Sequence, residues 1–232
     1  MGREFTRNMF VMLLSVMVGI ILITYMGADL VNRGKIDTLT TQYEGEISSV
    51  KGKSENFTSY FLKSSVVLDQ AREDRAFGNY HFDLALLWYQ SALAEKNASL
   101  MDIYKERGLD NCSNAMPYFY YSYLNFLEAG DFFNQTKTFS ETRHLEVLNL
   151  YVELTASGSR LTMLRHEASR YLTYLTENLT FNVETNDVTY LVNVTGIMFI
   201  FEELLDEYAE ELLIFEELLE EIDEYEFFDE IR

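Results

Sequence analysis

A run of twenty residues without a charged side chain, Met9–Ala28, limits what this chain can fold into more than any other feature. An α-helix rises about 1.5 Å per residue, so this run is long enough to cross the roughly 30 Å hydrocarbon core of a bilayer. Residues 1–8 contain Arg3 and Arg7, which are typical of the basic flank of a signal segment. We therefore predict a short cytoplasmic N-terminus at residues 1–8 and a transmembrane signal-anchor at residues 9–28 that contacts membrane lipid.

The segment is expected to stay attached to the mature protein. A cleavage site requires small residues one and three positions before the cut. Ala28 satisfies the first requirement, but Met26 then occupies the second position. The anchor is therefore predicted to be uncleaved.

The orientation of the anchor is predicted from glycosylation signals. Basic residues lie on both sides of the span, so the positive-inside rule does not decide the orientation. Asn-x-Ser/Thr sequons occur only after the span, which favours a cytoplasmic N-terminus and an extracytoplasmic bulk of the chain in a single-pass membrane glycoprotein. The predicted glycosylation sites are Asn56, Asn97, Asn111, Asn134, Asn178 and Asn193.

The scarcity of helix breakers indicates the fold class. Proline occurs once, at Pro117, and glycine eleven times in 232 residues. An all-β fold needs many turns, whereas long helices need few. We predict an all-α protein in which a membrane-proximal helix at residues 29–55 precedes an extracytoplasmic bundle at residues 56–232, giving about five helices after the anchor.

The C-terminal stretch Asp187–Phe228 is predicted to be a long acidic helix and the most regular element of this bundle. Ten apolar residues recur there in alternating steps of three and four, which is typical of a long packed helix. These residues are Leu191, Val194, Met198, Phe201, Leu205, Tyr208, Leu212, Phe215, Leu219 and Ile222. Leu213 and Ile214 lie on the far side of this stripe, which predicts a contact with another helix or another chain.

The acidic residues of that helix dominate the charge of the whole chain. The net charge is -20, and residues 202–232 contribute -14 of it. Such a chain should repel nucleic acid. Repulsion among the acids is expected to be offset by Arg160, Arg165 and Arg170 on the preceding helix. The alternatives are solvation, a basic partner protein, divalent cations or acidic surroundings that protonate the carboxylates.

A helix hairpin is predicted around Gly78. We expect one helix to run from Ser54 or Asn56 to about Phe77 and to stop at Gly78-Asn79, with a second helix at Tyr80–Lys96. The residues Gly78, Tyr80, Ala85, Tyr89 and Ala92 resemble the second helix of a tetratricopeptide repeat, a family in which small residues let two helices pack closely. No 34-residue repeat accompanies them, so we interpret the segment as an ordinary helix hairpin.

Two connections and one aromatic block complete the predicted organisation. Asn97–Ser113 is predicted to be a mostly polar connection, in which Cys112 is a free or shielded thiol or, alternatively, a bridge to another chain. Phe181–Asn186 is predicted to be a loop. The aromatic residues of 118–139 are interpreted as core packing, with an aromatic pocket for sugars or cations as the alternative.

The sequence contains no complete catalytic or metal-binding motif, so we predict neither an enzyme nor a cofactor. Glu141 and His144 match one Glu-x-x-His unit of di-iron bundles, but that site needs a second such unit. His81 and His166 lack a glutamate three residues earlier. We therefore expect a structural or interaction component of a surface assembly or membrane complex that binds a protein partner or itself. The alternative is a small-molecule-binding or sensory ectodomain that works through a partner.

Overall fold

The computed structural model describes the backbone from Gly2 to Tyr225 and the side chains from Thr38 to Tyr225. The chain divides into two units, Met1–Ser54 and Glu55–Arg232, which are described separately. The described part of the chain contains four α-helices, α1 to α4, and two strands, β1 and β2. Their bounds are α1 Gly2–Ala94, α2 Ala98–Lys137, α3 Leu145–Glu177, β1 Leu179–Asn182, β2 Asp187–Tyr190 and α4 Thr195–Glu224, with a short 3-10 helix at Thr142–His144. The prediction of an all-α helical bundle is confirmed, with four helices among these residues instead of about five.

The first unit is helical from Gly2 onward and belongs to α1. The predicted anchor, residues 9–28, and the predicted cytoplasmic segment, residues 1–8, lie outside the residues whose side chains are described. Among the residues that are described, no helix combines the length and apolar character needed to cross a bilayer.

In the second unit the four helices run alternately up and down. A three-residue connection joins α1 to α2, and the Asn97 side chain caps α2 by accepting hydrogen bonds from the backbone N–H groups of Ser99 and Leu100. Lys105, near the start of α2, donates a hydrogen bond to the carbonyl of Glu177 at the end of α3. Neighbouring helices in sequence are therefore antiparallel, as in an up-and-down four-helix bundle.

Two columns of inward-facing residues, each with a period of seven, explain how closely α1 and α2 pack. On α1 one column contains only small residues and the other only larger ones. The small column is Ser64, Ala71, Gly78, Ala85 and Ala92, and the larger column is Phe61, Leu68, Arg75, Phe82 and Tyr89. On α2 the corresponding columns are Gly108, Ala115, Ser122, Ala129 and Thr136, and Cys112, Phe119, Phe126 and Phe133.

The predicted stop at Gly78-Asn79 is wrong because Gly78 serves helix packing. A Cβ atom at Gly78 would lie 2.6 Å from a ring carbon of Phe119, so only glycine fits beneath that ring. Helix α1 continues through this point to Ala94. The hairpin forms instead between α1 and α2.

The predicted polar connection at Asn97–Ser113 is also wrong, because all but its first residue belongs to α2. Its polar side chains cover the outer face of the helix, whereas Met101, Gly108 and Cys112 are buried on the inner face. The Cys112 side chain is fully buried. This places the thiol in the core and not on a loop.

The predicted helix Asp187–Phe228 starts later than expected, at Thr195. Residues 187–190 form β2, which pairs antiparallel with β1, and the turn between the strands contains Asn186 with a φ of 56°. The β-branched residues Val188 and Thr189 favour a strand over a helix here. Leu191, the first residue of the predicted stripe, therefore lies in the connection between β2 and α4 and is 65% exposed. Residues 226–228 lie outside the described part of the chain.

The rest of the predicted stripe is confirmed. Phe201, Tyr208, Phe215 and Ile222, each seven residues apart, are buried on α4. Phe126 of α2 contacts Phe215 edge-on at 6.2 Å between ring centres, and Phe82 of α1 lies 6.5 Å from Phe201. The inner face of α4 thus completes the core of the bundle.

Candidate functional site

Aromatic rings and two half-buried arginines hold α4 against the bundle. The guanidinium carbon of Arg165, on α3, lies 4.4 Å from the ring centre of Phe82 and 4.0 Å from that of Tyr208. Arg75, on α1, lies 4.2 Å from the ring centre of Phe215. A cation over an aromatic face is attracted by the negative face of the ring. These contacts hold the inner face of the most acidic helix against the two neighbouring helices.

The lowered pKa of Arg75 shows that burying its positive charge is unfavourable. Burial lowers the pKa of Arg75 from its ordinary value, and the positive charge of Arg72 lowers it further, whereas Tyr208 and Glu216 raise it. Desolvation disfavours the charged form of a buried base. The ring of Phe215 offsets part of that cost.

The three arginines predicted to face the acidic helix behave differently. Arg160 pairs with Glu211 of α4, with 3.4 Å between Nη1 and Oε2. Arg165 stacks on Tyr208 and pairs with Asp83 of α1 at 3.7 Å. Arg170 pairs with Glu167 of its own helix. Only two of the three therefore contact α4.

The remaining surface of α4 carries its carboxylates. Twelve acidic residues and no basic residue lie between Glu202 and Glu224, and all of them except Glu211 are exposed. At 100° per residue, one face of the helix presents an acidic row with Leu213 at its middle. We define the acidic row as Asp206, Glu210, Glu217, Glu220 and Glu224.

The two predicted interaction residues are exposed on this side of the molecule. Leu213 is 62% exposed and lies within the acidic row, and Ile214 is 45% exposed. An exposed apolar side chain surrounded by charges is more informative than an isolated one, because it offers apolar and electrostatic contacts together. Ile214 also lines a groove.

That groove lies among α2, α3 and α4 and has a volume of about 550 Å³. Its walls combine apolar side chains with three carboxylates and one guanidinium. The lining residues, which define the Glu211 groove, are Tyr123, Leu127, Ser159, Arg160, Met163, Leu164, Glu207, Glu210, Glu211 and Ile214. This groove could not be predicted from the sequence, because its residues come from three helices and share no sequence motif.

Glu211 is the unusual residue of the groove. It is only 8% exposed, and its Oε1 atom has no hydrogen-bond partner among the described residues. Its single charge partner, Arg160, has a side chain that is 64% exposed. A buried carboxylate normally needs several hydrogen bonds to offset its loss of hydration.

A second groove of about 550 Å³ lies between α1 and α2 and is mainly aromatic. Tyr118 stacks on Phe77 at 5.6 Å and on His81 at 5.8 Å between ring centres. The predicted aromatic block therefore has two roles. Phe119, Phe126 and Phe133 are core residues with no exposed surface, whereas Tyr118 lines this groove.

The predicted glycosylation sites differ in their surroundings. Four asparagines are exposed: Asn56, Asn97, Asn134 and Asn193. The other two, Asn111 and Asn178, are half-buried, and Nδ2 of each donates a hydrogen bond to a backbone carbonyl four residues earlier, in Arg107 and Tyr174. Because a glycan is attached through Nδ2, the exposed group is better suited to carry one.

Neither histidine nor cysteine forms a reactive cluster in the part of the chain that is described. No group of three His, Cys, Asp or Glu side chains there is placed to hold a metal ion. Glu141, half of the Glu-x-x-His match, pairs with Arg143 at 3.0 Å. Burial raises the pKa of the Cys112 thiol to about 11, although a hydrogen bond with Thr173 lowers it.

Comparison with known proteins gives no match. No protein-family model, curated protein or solved structure matches this chain. Its function is therefore inferred from the chemistry and geometry of its own residues.

Proposed function

We propose that the protein is a membrane-tethered interaction subunit whose acidic row binds a basic, partly apolar segment of a partner protein. The observation that carries this proposal is the exposed position of Leu213 within five carboxylates on one face of α4. Such a surface complements a helix or strand with Lys and Arg residues around an apolar side chain. The signal-anchor at residues 9–28 and the sequons complete the proposal of a single-pass surface glycoprotein.

The packing of α4 supports this proposal. Its inner residues are occupied by the bundle, and Arg75 and Arg165 contact its aromatic rings and leave the acidic row uncovered. The row is therefore available without any rearrangement of the core. Electrostatic attraction of this kind speeds association and weakens as salt screens it.

The experiment starts from the full-length chain in native membranes. Mild-detergent extraction followed by mass analysis should recover a stoichiometric partner with a basic segment, and that partner should dissociate as salt rises. A variant carrying Asp206→Asn, Glu217→Gln, Glu220→Gln and Glu224→Gln should lose the partner. A matched control neutralises four exposed acids of α2 with Asp102→Asn, Glu106→Gln, Asp110→Asn and Glu128→Gln, and should retain it.

Two outcomes would contradict the proposal. One is a lone monomer under all extraction conditions. The other is a partner that both four-site variants retain equally, since that partner would not contact the acidic row.

The second candidate function is a small-molecule-binding or sensory ectodomain. The Glu211 groove favours it, because its volume of about 550 Å³ lies in the range of small-molecule sites. The two functions are compatible, since the four acids replaced in the test variant do not line that groove.

A further inference from the structure

Glu211 differs from every other acidic residue of α4 between Glu202 and Glu224. The other eleven are exposed, whereas Glu211 is 8% exposed and lines a groove. Its Oε2 lies 3.4 Å from Arg160 Nη1, and its Oε1 has no hydrogen-bond partner within the described chain. A buried carboxylate oxygen in this position is a preformed acceptor for a donor that enters the groove.

The groove around Glu211 has a negative balance of charge. It contains three carboxylates, of Glu207, Glu210 and Glu211, and one guanidinium, of Arg160. A concave surface with low-dielectric walls strengthens such a field compared with an exposed face. The groove therefore favours a cation over a neutral molecule and disfavours an anion.

The rest of the lining is apolar. Leu127, Met163, Leu164 and Ile214 contribute aliphatic or thioether surface, and Tyr123 contributes one aromatic ring. Met163 is 40% exposed and Leu127 44%, so part of this surface is accessible to a ligand. Covering it would remove apolar area from water, which favours formation of a complex.

We propose that the Glu211 groove binds a small organic cation with an ammonium head and an apolar body. The ammonium group donates a hydrogen bond to Glu211 Oε1, and the apolar body lies against Met163, Leu164 and Ile214. The lengths of alkyl chain that fit are limited by the volume of about 550 Å³. This site does not depend on the proposed protein partner, since a free amine occupies it without one.

Calorimetric titration of the full-length protein in detergent micelles tests the proposal with three probes of equal chain length. Hexylammonium is the expected ligand, hexanol is its neutral counterpart, and hexanoate is its anionic counterpart. Empty micelles provide the blank. Hexylammonium should bind at least about tenfold more tightly than hexanol, as expected for a charge-assisted hydrogen bond, and hexanoate should not bind.

Two single substitutions identify the acceptor. Glu211→Gln keeps the size of the side chain and removes its charge, so it should weaken hexylammonium binding about tenfold and leave hexanol binding unchanged. Glu221→Gln removes an exposed carboxylate ten residues further along α4, outside both the groove and the acidic row, and should leave both affinities unchanged. Far-ultraviolet circular dichroism verifies that each variant is folded.

A third substitution covers the case in which Glu211→Gln does not fold. Ile214→Arg places a guanidinium in the mouth of the groove and keeps Glu211, and it should abolish hexylammonium binding. The proposal is overturned by equal affinities for hexylammonium and hexanol, by no binding of any probe, or by hexylammonium binding that a folded Glu211→Gln variant retains in full.

Discussion

The hydroxyl oxygen of Tyr208 on α4 accepts a hydrogen bond from Nδ2 of Asn79 on α1, with 3.2 Å between the two atoms. Tyr208 is buried, and the other polar atom of Asn79, Oδ1, has no hydrogen-bond partner among the described residues. This bond and the stacking of Arg165 on the same ring are two of the polar contacts that hold the middle of α4 against the core.

Tyr208→Phe should therefore lower the free energy of unfolding by about 1–2 kcal/mol, because it leaves the buried amide of Asn79 without its acceptor. Tyr121→Phe is the control, since Tyr121 is 58% exposed and its loss should cost less than about 0.5 kcal/mol. Urea unfolding measures both. Adding Asn79→Leu to Tyr208→Phe should recover part of the loss, and equal stability of Tyr208→Phe and the parent would contradict the role of this bond.

Gly158 on α3 should not tolerate a methyl group. A Cβ atom there would lie 2.4 Å from a ring carbon of Phe126, which is fully buried and cannot move away. Gly158→Ala should lower the free energy of unfolding by about 1–3 kcal/mol although alanine is the better helix former. Gly196→Ala is the matched control, because a Cβ atom there meets nothing within 4 Å. A Gly158→Ala variant as stable as Gly196→Ala would show that α2 and α3 pack less closely.

His166 should make stability depend on pH. Burial lowers its pKa from the ordinary value of 6.5, and Arg170 lowers it further, whereas Glu167 raises it. The unfolded chain then binds a proton at this histidine more readily than the folded chain does. The stability that His166 contributes is therefore fully present above pH 6.5 and is lost as the pH falls through the lowered pKa.

Urea unfolding at a series of pH values checks this sign. His166→Gln should flatten the rise of the free energy of unfolding with pH just below pH 6.5. An unchanged slope in His166→Gln would assign the pH dependence to other groups.

Cys112 should be inert in the native protein. Its thiol is fully buried, and burial raises its pKa to about 11, so very little thiolate forms at pH 8. Iodoacetamide should label it slowly in the folded protein and completely in urea, as measured by mass spectrometry. Rapid labelling of the folded protein would contradict the buried position and restore the alternative of a bridge to another chain.

Glycan occupancy should follow exposure. In a host that glycosylates secreted domains, Asn193→Gln should raise the electrophoretic mobility of the protein, because Asn193 is exposed in the loop before α4. Asn111→Gln should not, because Asn111 is half-buried within α2 and its Oδ1 lies 3.1 Å from His81 Nδ1. Unchanged mobility after replacement of each of the four exposed asparagines would contradict the proposed extracytoplasmic orientation.

The apolar stripe of α4 could be predicted from the sequence because its inner residues are large and its outer residues are charged. The inward face of α1 could not be recognised in the same way. Ser64, Arg75 and Gly78 occupy inward positions there, and none of them is a hydrophobic residue. Glycine after a helical pattern predicts a helix end, whereas Gly78 lies within α1 and leaves room for the ring of Phe119. Local propensity does not reveal which ring will lie opposite a small residue.

The candidate site was predictable only in part. The exposure of Leu213 and Ile214 follows from their position on the helix, so periodicity was sufficient. The burial of Glu211 depends on where α2 and α3 pass, which is a property of the tertiary packing. The sequence gives only a weak indication that Glu211 is buried. Glu211 is three residues after Tyr208 and four before Phe215, which places it at the edge of the buried stripe.

The seven-residue spacing of small residues on α1 offers several alignments of α1 with α2, and one of them places Gly78 beneath the ring of Phe119. Sliding one helix by a heptad, about 10.5 Å, would replace each small residue by the next one in the column. The hydrogen bond from Asn125 Nδ2 to Asp74 Oδ2, 3.0 Å long, exists in one alignment only, since Val67 or His81 would lie opposite Asn125 in the neighbouring ones. This polar pair and the glycine beneath Phe119 thus specify the same register, the first through hydrogen bonding and the second through packing.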